Sequence, residues 1–566
     1  MNRLLMRTLL LAIHGLVSVT LFAQKEELPR GWHLMDKQDS GYYGISMDKA
    51  YTFVKAKKLK SKTVIVAVLD TGVDTTHEDI KSILWHNPKE IAGNGIDDDM
   101  NGYVDDIYGW NFIGGSDGKN VEDDSGEATR VYHMLKSKWE GKDITAMKLT
   151  KEEMDEYAMW KRAASEITGG NSKTSAFELL LMKRAYTSCR KSDSILRKEI
   201  GKELFSGIEL DLFIPANSDA KKAKNLLLSL MQSSEMMESS NQEFIEEFGD
   251  EVIQEERKAE AASTPPENYR EKAVKDNYYD FNDKFYGNPD VMVSNKAALH
   301  GTHVTGIIGA IRNNDIGIDG VADNVKIMMV RMLPPSGDEH DKDIALAIRY
   351  AADNGAQVIN MSFGKKFSPE KKWVDESVRY AESKGVLMVL AAGNDSKNID
   401  TTYNYPSPEF QSDGKSANNW ITVGASGDPK AGGLIAYFSN YGKKEVDVFA
   451  PGVKIYSTIA GGNTYQYEQG TSMASPVVAG LAAFILEYYP DLSAQQVKYA
   501  IEKSAVKPTE KVINPETGEM VSLSDISKSG GVINAYEAIK LASTLKGERN
   551  KTVKPTTSTV NPKVKG

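Results

Sequence analysis

Three features of the sequence predict an α/β fold, a doubly wound parallel sheet with helices on both faces, plus an inserted helical subdomain. Short apolar runs recur, each followed by a helical pattern. The runs are apolar at consecutive positions, as strands buried on both faces must be. One long segment then breaks the rhythm with high charge density and almost no proline.

The strand runs lie at 64–69, 325–333, 357–363, 386–392, 421–425 and 446–449. Helical patterns fall between several of them, at Asp341–Asp353 and at 369–384, the second ending before Gly385 as a helix closed by a C-terminal glycine should. In such folds ligands bind at the carboxyl ends of the strands, so the polar residues just after each run are the places to inspect.

The interrupting segment, 127–275, has 51 charged residues among its 149. Pro215 is the one proline between Gly126 and Pro265, and Phe177, Leu181 and Ala185, like Leu226 and Leu230, keep i, i+4 spacing. The acidic run from Glu235 to Glu260 reads as a solvated helix face. The α/β domain is therefore expected in two parts, 24–126 and 276–545, around this insertion. The tail 546–566, rich in Lys, Thr and Pro, is expected to be disordered.

Residues 1–23 read as an export signal: Arg3 and Arg7, an apolar run over 9–22, and Ala23 before the polar Gln24-Lys25-Glu26. The apolar run is shorter than the ~20 residues a spanning helix needs, so removal is favoured over anchoring and no membrane span is expected afterwards. The expected location is exported: periplasmic, cell-envelope or secreted. Of 566 residues, Lys and Arg number 69 and Asp and Glu 79, a net charge of −10 that argues against a nucleic-acid partner. The single cysteine, Cys189, forbids an intrachain disulfide and any multi-cysteine metal site. The sequence sets no oligomeric state.

Three motifs carry chemistry. The first is a buried strand delivering Asp70-Thr71-Gly72. Such an aspartate serves metal sites, phosphoryl transfer, aspartic proteases or a plain Asx turn. An aspartic protease would need a second strand-borne unit to share its proton, and Asp124-Ser125-Gly126 follows no apolar strand. The second is His300-Gly-Thr-His303 opening an apolar helical pattern; half a metal site is the alternative, but no glutamate stands in a zinc-protease arrangement nearby. The third is Gly470-Thr-Ser472-Met-Ala-Ser-Pro476 leading into an apolar helix. A serine there caps the helix in the ordinary case, yet the same position suits a nucleophile, because helix N–H groups point at any oxyanion formed beside it.

Taken in the order Asp, His, Ser, these motifs together resemble the subtilisin family of serine proteases; chymotrypsin-like enzymes and α/β-hydrolases use other orders. The resemblance covers roughly 40–125 and 276–545. It implies that Ser472 attacks the scissile carbonyl of a peptide bond, that His300 takes and returns the proton, and that Asp70 orients the imidazole, giving an exported serine endopeptidase that works through an acyl-enzyme. It further implies that His303 is the family's second, noncatalytic histidine. Asn394, in Ala391-Ala-Gly-Asn394, would be the oxyanion donor. Met361-Ser362-Phe363-Gly364 resembles the edge that pairs with a protein or peptide substrate bound as an extended strand, with Ser362 and Gly364 as its contacts. Asn404 stands where relatives often have glycine, which implies a more polar or shallower specificity pocket. A silent scaffold that binds peptides in the same cleft, or a peptidyl ligase or self-processing maturase, would keep the same fold.

No cofactor is implied for catalysis, but structural Ca2+ has two candidate places. Asp97, Asp99, Asn101 and Asp105 sit at the first, third, fifth and ninth positions of an EF-hand-like loop with Gly102 sixth, although Tyr108 replaces the twelfth-position glutamate. Asp79 with 314–318 resembles the family's calcium loop after the catalytic histidine. The insertion is expected to gate the cleft or to offer an exosite.

Overall fold

The computed structural model describes residues 28–549 apart from 169–175, 235 and 238. The expected export signal and most of the tail lie outside the described residues. The chain separates into two compact units, one formed by the α/β parts and one by Ala128–Pro266.

The α/β unit is built on a seven-stranded parallel sheet: β1 (Val64–Asp70), β2 (Gly109–Asn111), β3 (Val325–Arg331), β4 (Val358–Met361), β5 (Leu387–Ala391), β6 (Trp420–Ser426) and β7 (Val448–Pro451), in the spatial order β2-β3-β1-β4-β5-β6-β7. β1 is central, flanked by β3 in the register Asp70↔Arg331 and by β4 in the register Leu69↔Met361. The central strands β1, β3, β4 and β5 alternate their side chains between two cores. Val64, Val66 and Val68 face one apolar cluster, and Ala67 and Leu69 the other.

The helices cover both faces. We number those of this unit α1 (Met47–Ala56), α2 (Asn295–Gly309), α3 (Asp341–Asp353), α4 (Lys371–Ser383), α5 (Thr471–Tyr488), α6 (Ala494–Ser504) and α7 (Ala535–Ala542). Gly385 takes φ +74 just past α4, the left-handed closure its position predicts. Among the described residues α5 is the one helix long and apolar enough to cross a membrane, and it is instead a core helix, with Ala474, Val477, Val478 and Leu481 fully buried. A hairpin of β8 (Ile455–Ile459) and β9 (Thr464–Glu468) precedes it.

The N-terminal segment belongs to this core. Trp32, Ile45, Met47 and Ala50 are fully buried, and the Trp32 indole donates to the Val453 and Lys454 carbonyls. At the other end, the disorder expected from 546 does not hold for the described residues 546–549. Arg549 donates through its backbone N–H to the Asp491 carbonyl and through Nε to the Leu492 carbonyl, which ties 546–549 to the fold.

The second unit is helical, with Lys151–Thr168, Ala176–Ile200, Ser218–Ser233 and Asn241–Glu260 its long helices. Cys189, Leu196, Phe205, Leu227 and Phe248 form its own core. Burial pushes the Cys189 thiol up to about 12, so it is an inert packing residue. The boundary differs from the expected 127–275: residues 267–275 fold with the sheet, because Arg270 is buried between Asp276 and Asp343 there.

Candidate active site

Asp70 is the last residue of the central strand and is fully buried. Its Oδ1 accepts the Thr71 N–H at 2.7 Å, and the Thr71 carbonyl in turn takes the Arg331 Nε–H at 2.9 Å. The Arg331 guanidinium spends its other arms on Asn111 Oδ1 and the Val121 carbonyl, so the turn after β1 is held by a cation with no exposed surface.

His300 comes from α2, and two glycines set the approach. A Cβ on Gly301 would lie 2.1 Å from the Gly72 carbonyl oxygen, so the histidine motif needs glycine there, and one on Gly72 would lie 2.7 Å from the Val291 carbonyl oxygen. Gly72 itself has φ +135. The result is an Asp70 Oδ1···His300 Nδ1 distance of 2.7 Å. About a third of the His300 side chain remains exposed (31%) while Asp70 has none. Burial pulls the His300 ring toward the neutral form, and the Asp70 charge and hydrogen bond push the other way; the net direction is above the ordinary histidine value. His303, one turn on, is different. Its Nε2 lies 3.1 Å from the Ile455 carbonyl, and burial brings it down to about 3, so it is a neutral structural donor.

Ser472 is the second residue of α5, where a backbone N–H has no helical acceptor. Its Oγ donates to the Ser362 carbonyl at 3.0 Å, and no hydrogen bond joins it to His300 in this rotamer. Its own carbonyl is freed because Pro476, four residues on, has no N–H to give. Ser362 Oγ donates to that carbonyl at 2.9 Å, so the end of β4 and the start of α5 grip each other in both directions. Ser362 is thus buried and engaged with Ser472, whereas Gly364 is exposed. Among the described residues, the main chain of Phe363 and Gly364 has no cross-strand partner.

Asn394 follows β5 and is exposed. Its Oδ1 accepts the Thr471 N–H and hydroxyl, both at 2.9 Å, which turns Nδ2 the other way. A Cβ on Gly470 would lie 3.3 Å from that Nδ2 and 3.5 Å from the Ser472 nitrogen, so two donors flank a space that glycine keeps clear. The Thr471 hydroxyl also accepts the Gly393 N–H at 3.0 Å, and Asn440 clamps the loop through Ala392, Gly393, Asp395 and Lys397. Sequence reasoning missed Thr471 and Asn440. Thr471 lies inside the quoted motif and was open to the same reading as its neighbour. Asn404 Oδ1 lies 3.2 Å from where a Gly364 Cβ would be, which places it against the segment after β4.

The EF-hand-like loop is arranged differently from the expected ligand set. Asp105 is not among the carboxylates that gather here, its two oxygens accepting the N–H groups of Gly93, Asn94 and Gly95, and Asn101 Oδ1 takes the Tyr103 N–H. Asp97 and Asp99 remain together and Glu90 joins them: one carboxylate oxygen of each lies within 4.8 Å of the others. Three hard oxygen donors suit Ca2+. No helix precedes this loop, so its ligands answer to local turns and not to the EF-hand spacing. Asp79 is buried, with Oδ1 accepting from Asn314 Nδ2 at 2.7 Å, and burial raises its carboxyl above the usual range.

A parallel α/β sheet that offers an aspartate, a histidine and a helix-borne serine at one end, with paired donors beside the serine, defines a candidate nucleophilic hydrolase. The subtilase family matches the chain over residues 61–519, most of its length, and the chain belongs to that family. Over 229 residues it is 44% identical to a thermophilic serine proteinase of Bacillus sp. (strain AK1), 40% of this chain and 51% of that protein. It is also 40% identical to subtilisin DY of Bacillus licheniformis over 36% of this chain and 70% of that protein. With thermitase of Thermoactinomyces vulgaris it shares 37% identity over 43% of this chain and 75% of that protein. The chain thus spans about half the length of the first of these relatives.

Proposed function

We propose that the chain is an exported serine endopeptidase that hydrolyses peptide bonds through an acyl-enzyme. The observation that carries this reading is the 2.7 Å Asp70–His300 pair beside a helix-terminal serine whose flanking donors are unspent. In this reading Ser472 Oγ would leave the Ser362 carbonyl, its partner in the resting structure, for His300 Nε2. The imidazole takes the hydroxyl proton as the oxygen attacks, and Asp70 stabilises the cation formed. The Asn394 Nδ2–H and the Ser472 N–H receive the oxyanion. The imidazolium returns the proton to the leaving amine, and water repeats the sequence to free the acid. The substrate lies as an extended strand along Ser362–Gly364, where the main chain of Phe363 and Gly364 is open. The relative named a thermophilic serine proteinase and membership of the subtilase family support the reaction class.

In the same reading, Glu90, Asp97 and Asp99 hold a structural Ca2+ that would pin the 90–105 loop and take no part in the reaction. Incubating the full chain with a denatured protein and sequencing the products tests the function. Cleavage that disappears in Ser472→Ala is expected; equal cleavage by both would remove Ser472 from the reaction, and none by either would favour a binding scaffold.

A further inference from the structure

Lys365 is an unusual residue to find directly after a peptide-binding edge. Its ammonium is wholly buried, and its three N–H bonds meet three acceptors: Glu127 Oε2 at 2.8 Å, the Glu339 carbonyl at 2.8 Å and Asp341 Oδ1 at 2.9 Å. Its backbone is committed as well, exchanging both hydrogen bonds with Tyr405 at 2.9 and 2.8 Å. A buried ammonium costs several kcal/mol unless it is fully matched, so this arrangement fixes both the side chain and the main chain of residue 365. One residue earlier stands Gly364, exposed and unpaired across the strand.

The counter-ions are equally committed. Asp341 opens α3 and also accepts from the Ser368 hydroxyl and the Glu370 N–H, both just past the edge. Glu127 has its N–H taken by Asp338 Oδ2 at 2.7 Å. It is also the last residue of the α/β unit before the chain leaves for the helical one. The next two residues of α3 fasten the returning chain: Lys342 holds Asp276, and Asp343 holds Arg270 and Tyr286. Three consecutive charged residues, all fully buried, therefore anchor the departure of the chain, its return and the edge between them.

We propose that Lys365 is a positioning residue for the substrate-pairing edge and that Glu127 and Asp341 are the counter-ions through which it acts. The root of the insertion is then part of the peptide-binding apparatus; this rests on the proteolytic reading above. A lysine that merely holds the fold together would affect every substrate alike. One that sets Ser362–Gly364 affects substrates in proportion to how much of their backbone lies on that edge.

The test uses the full chain as Lys365→Met, Glu127→Gln and the two combined, with p-nitroanilides carrying one to four residues before the cut. The wild type is expected to gain in kcat/KM as the peptide lengthens. Each single variant is expected to lose about tenfold on the longest substrate, through KM, the scale of one main-chain hydrogen bond. The double variant is expected to fall no further, because the two groups act as one unit. An equal fractional loss at every length, or a loss carried by kcat with KM unchanged, overturns the proposal. If Lys365→Met does not fold, Glu127→Gln decides alone by the same criterion. If the wild type cleaves none of the series, the proteolytic reading fails first, an outcome distinct from a wild type that cleaves with a flat length series, which overturns only the positioning role.

Discussion

Asp70 and Asp124 are near twins in local geometry. Each accepts the following residue's N–H at 2.7 Å and its hydroxyl at 3.3 Å on one oxygen. Each also faces a histidine, His300 Nδ1 at 2.7 Å for the first and His340 Nε2 at 2.9 Å for the second. The difference lies in which ring nitrogen is spent. At His300 the near nitrogen meets the carboxylate, so Nε2 points away and a third of the side chain is open. At His340 the far nitrogen is consumed and only 12% of the side chain is exposed. His340 also precedes α3, with no hydroxyl on its ring among the described residues, whereas His300 shares its end of the sheet with the start of α5. An Asp–His pair becomes a candidate for catalysis only when the outward nitrogen is left for a nucleophile.

The comparison breaks most visibly at the histidines. His300→Ala should lower turnover by about 10⁶, the scale measured for the corresponding loss in subtilisin, a member of this family. His340→Ala should instead cost about 1–3 kcal/mol of stability, by leaving a buried carboxylate short of a donor, and keep cleavage at the folding-corrected level. Michaelis parameters and thermal midpoints of both variants check this, and similar losses of turnover would erase the distinction.

Asp70→Asn is the next largest effect, about 10⁴ in kcat by analogy with other serine proteases. It also carries a pH signature. His300 must be neutral to act as a base, and its folded value lies above the ordinary 6.5, so kcat/KM should fall as pH drops through a midpoint above that value. Without the Asp70 charge, burial is opposed by the lesser pull of the Glu468 charge, and the midpoint should move down. An unmoved midpoint would remove Asp70 from the role.

Asn394→Ala should cost about 10²–10³ in kcat with little change in KM, a range measured for this donor in subtilisin. Smallest is the calcium effect. Chelation should lower the melting temperature by a few degrees, and Glu90→Gln should abolish that sensitivity, whereas Asp105→Asn should leave it in place while weakening the loop. A melting temperature indifferent to chelator would contradict the site.

Much of this was legible in the sequence. The six apolar runs all became strands of the central sheet, because strands buried on both faces announce themselves by apolar continuity. Asp341–Asp353 appeared with the expected bounds, since its apolar face repeats at helical spacing. The three motifs fixed where Asp70, His300 and Ser472 leave their elements. The edge strand Gly109–Asn111 escaped notice, being only three residues long. The burial of Asp341, Lys342, Asp343 and Lys365 was also hidden, because a charged residue reads as surface until its counter-ion is found, and these counter-ions lie tens or hundreds of residues away. Glu90 was missed for a related reason: it lies outside the window that the EF-hand spacing selects.

The central claim is that the Ser472 oxygen is activated by the His300–Asp70 pair and not by its histidine look-alike. Intact-mass measurement after treatment with a fluorophosphonate tests it most directly. One adduct per chain, located on Ser472, kept in His340→Ala and lost in Ser472→Ala and His300→Ala, is the predicted result. An unlabelled wild type that is demonstrably folded, or an adduct that survives His300→Ala at the wild-type rate, would contradict it.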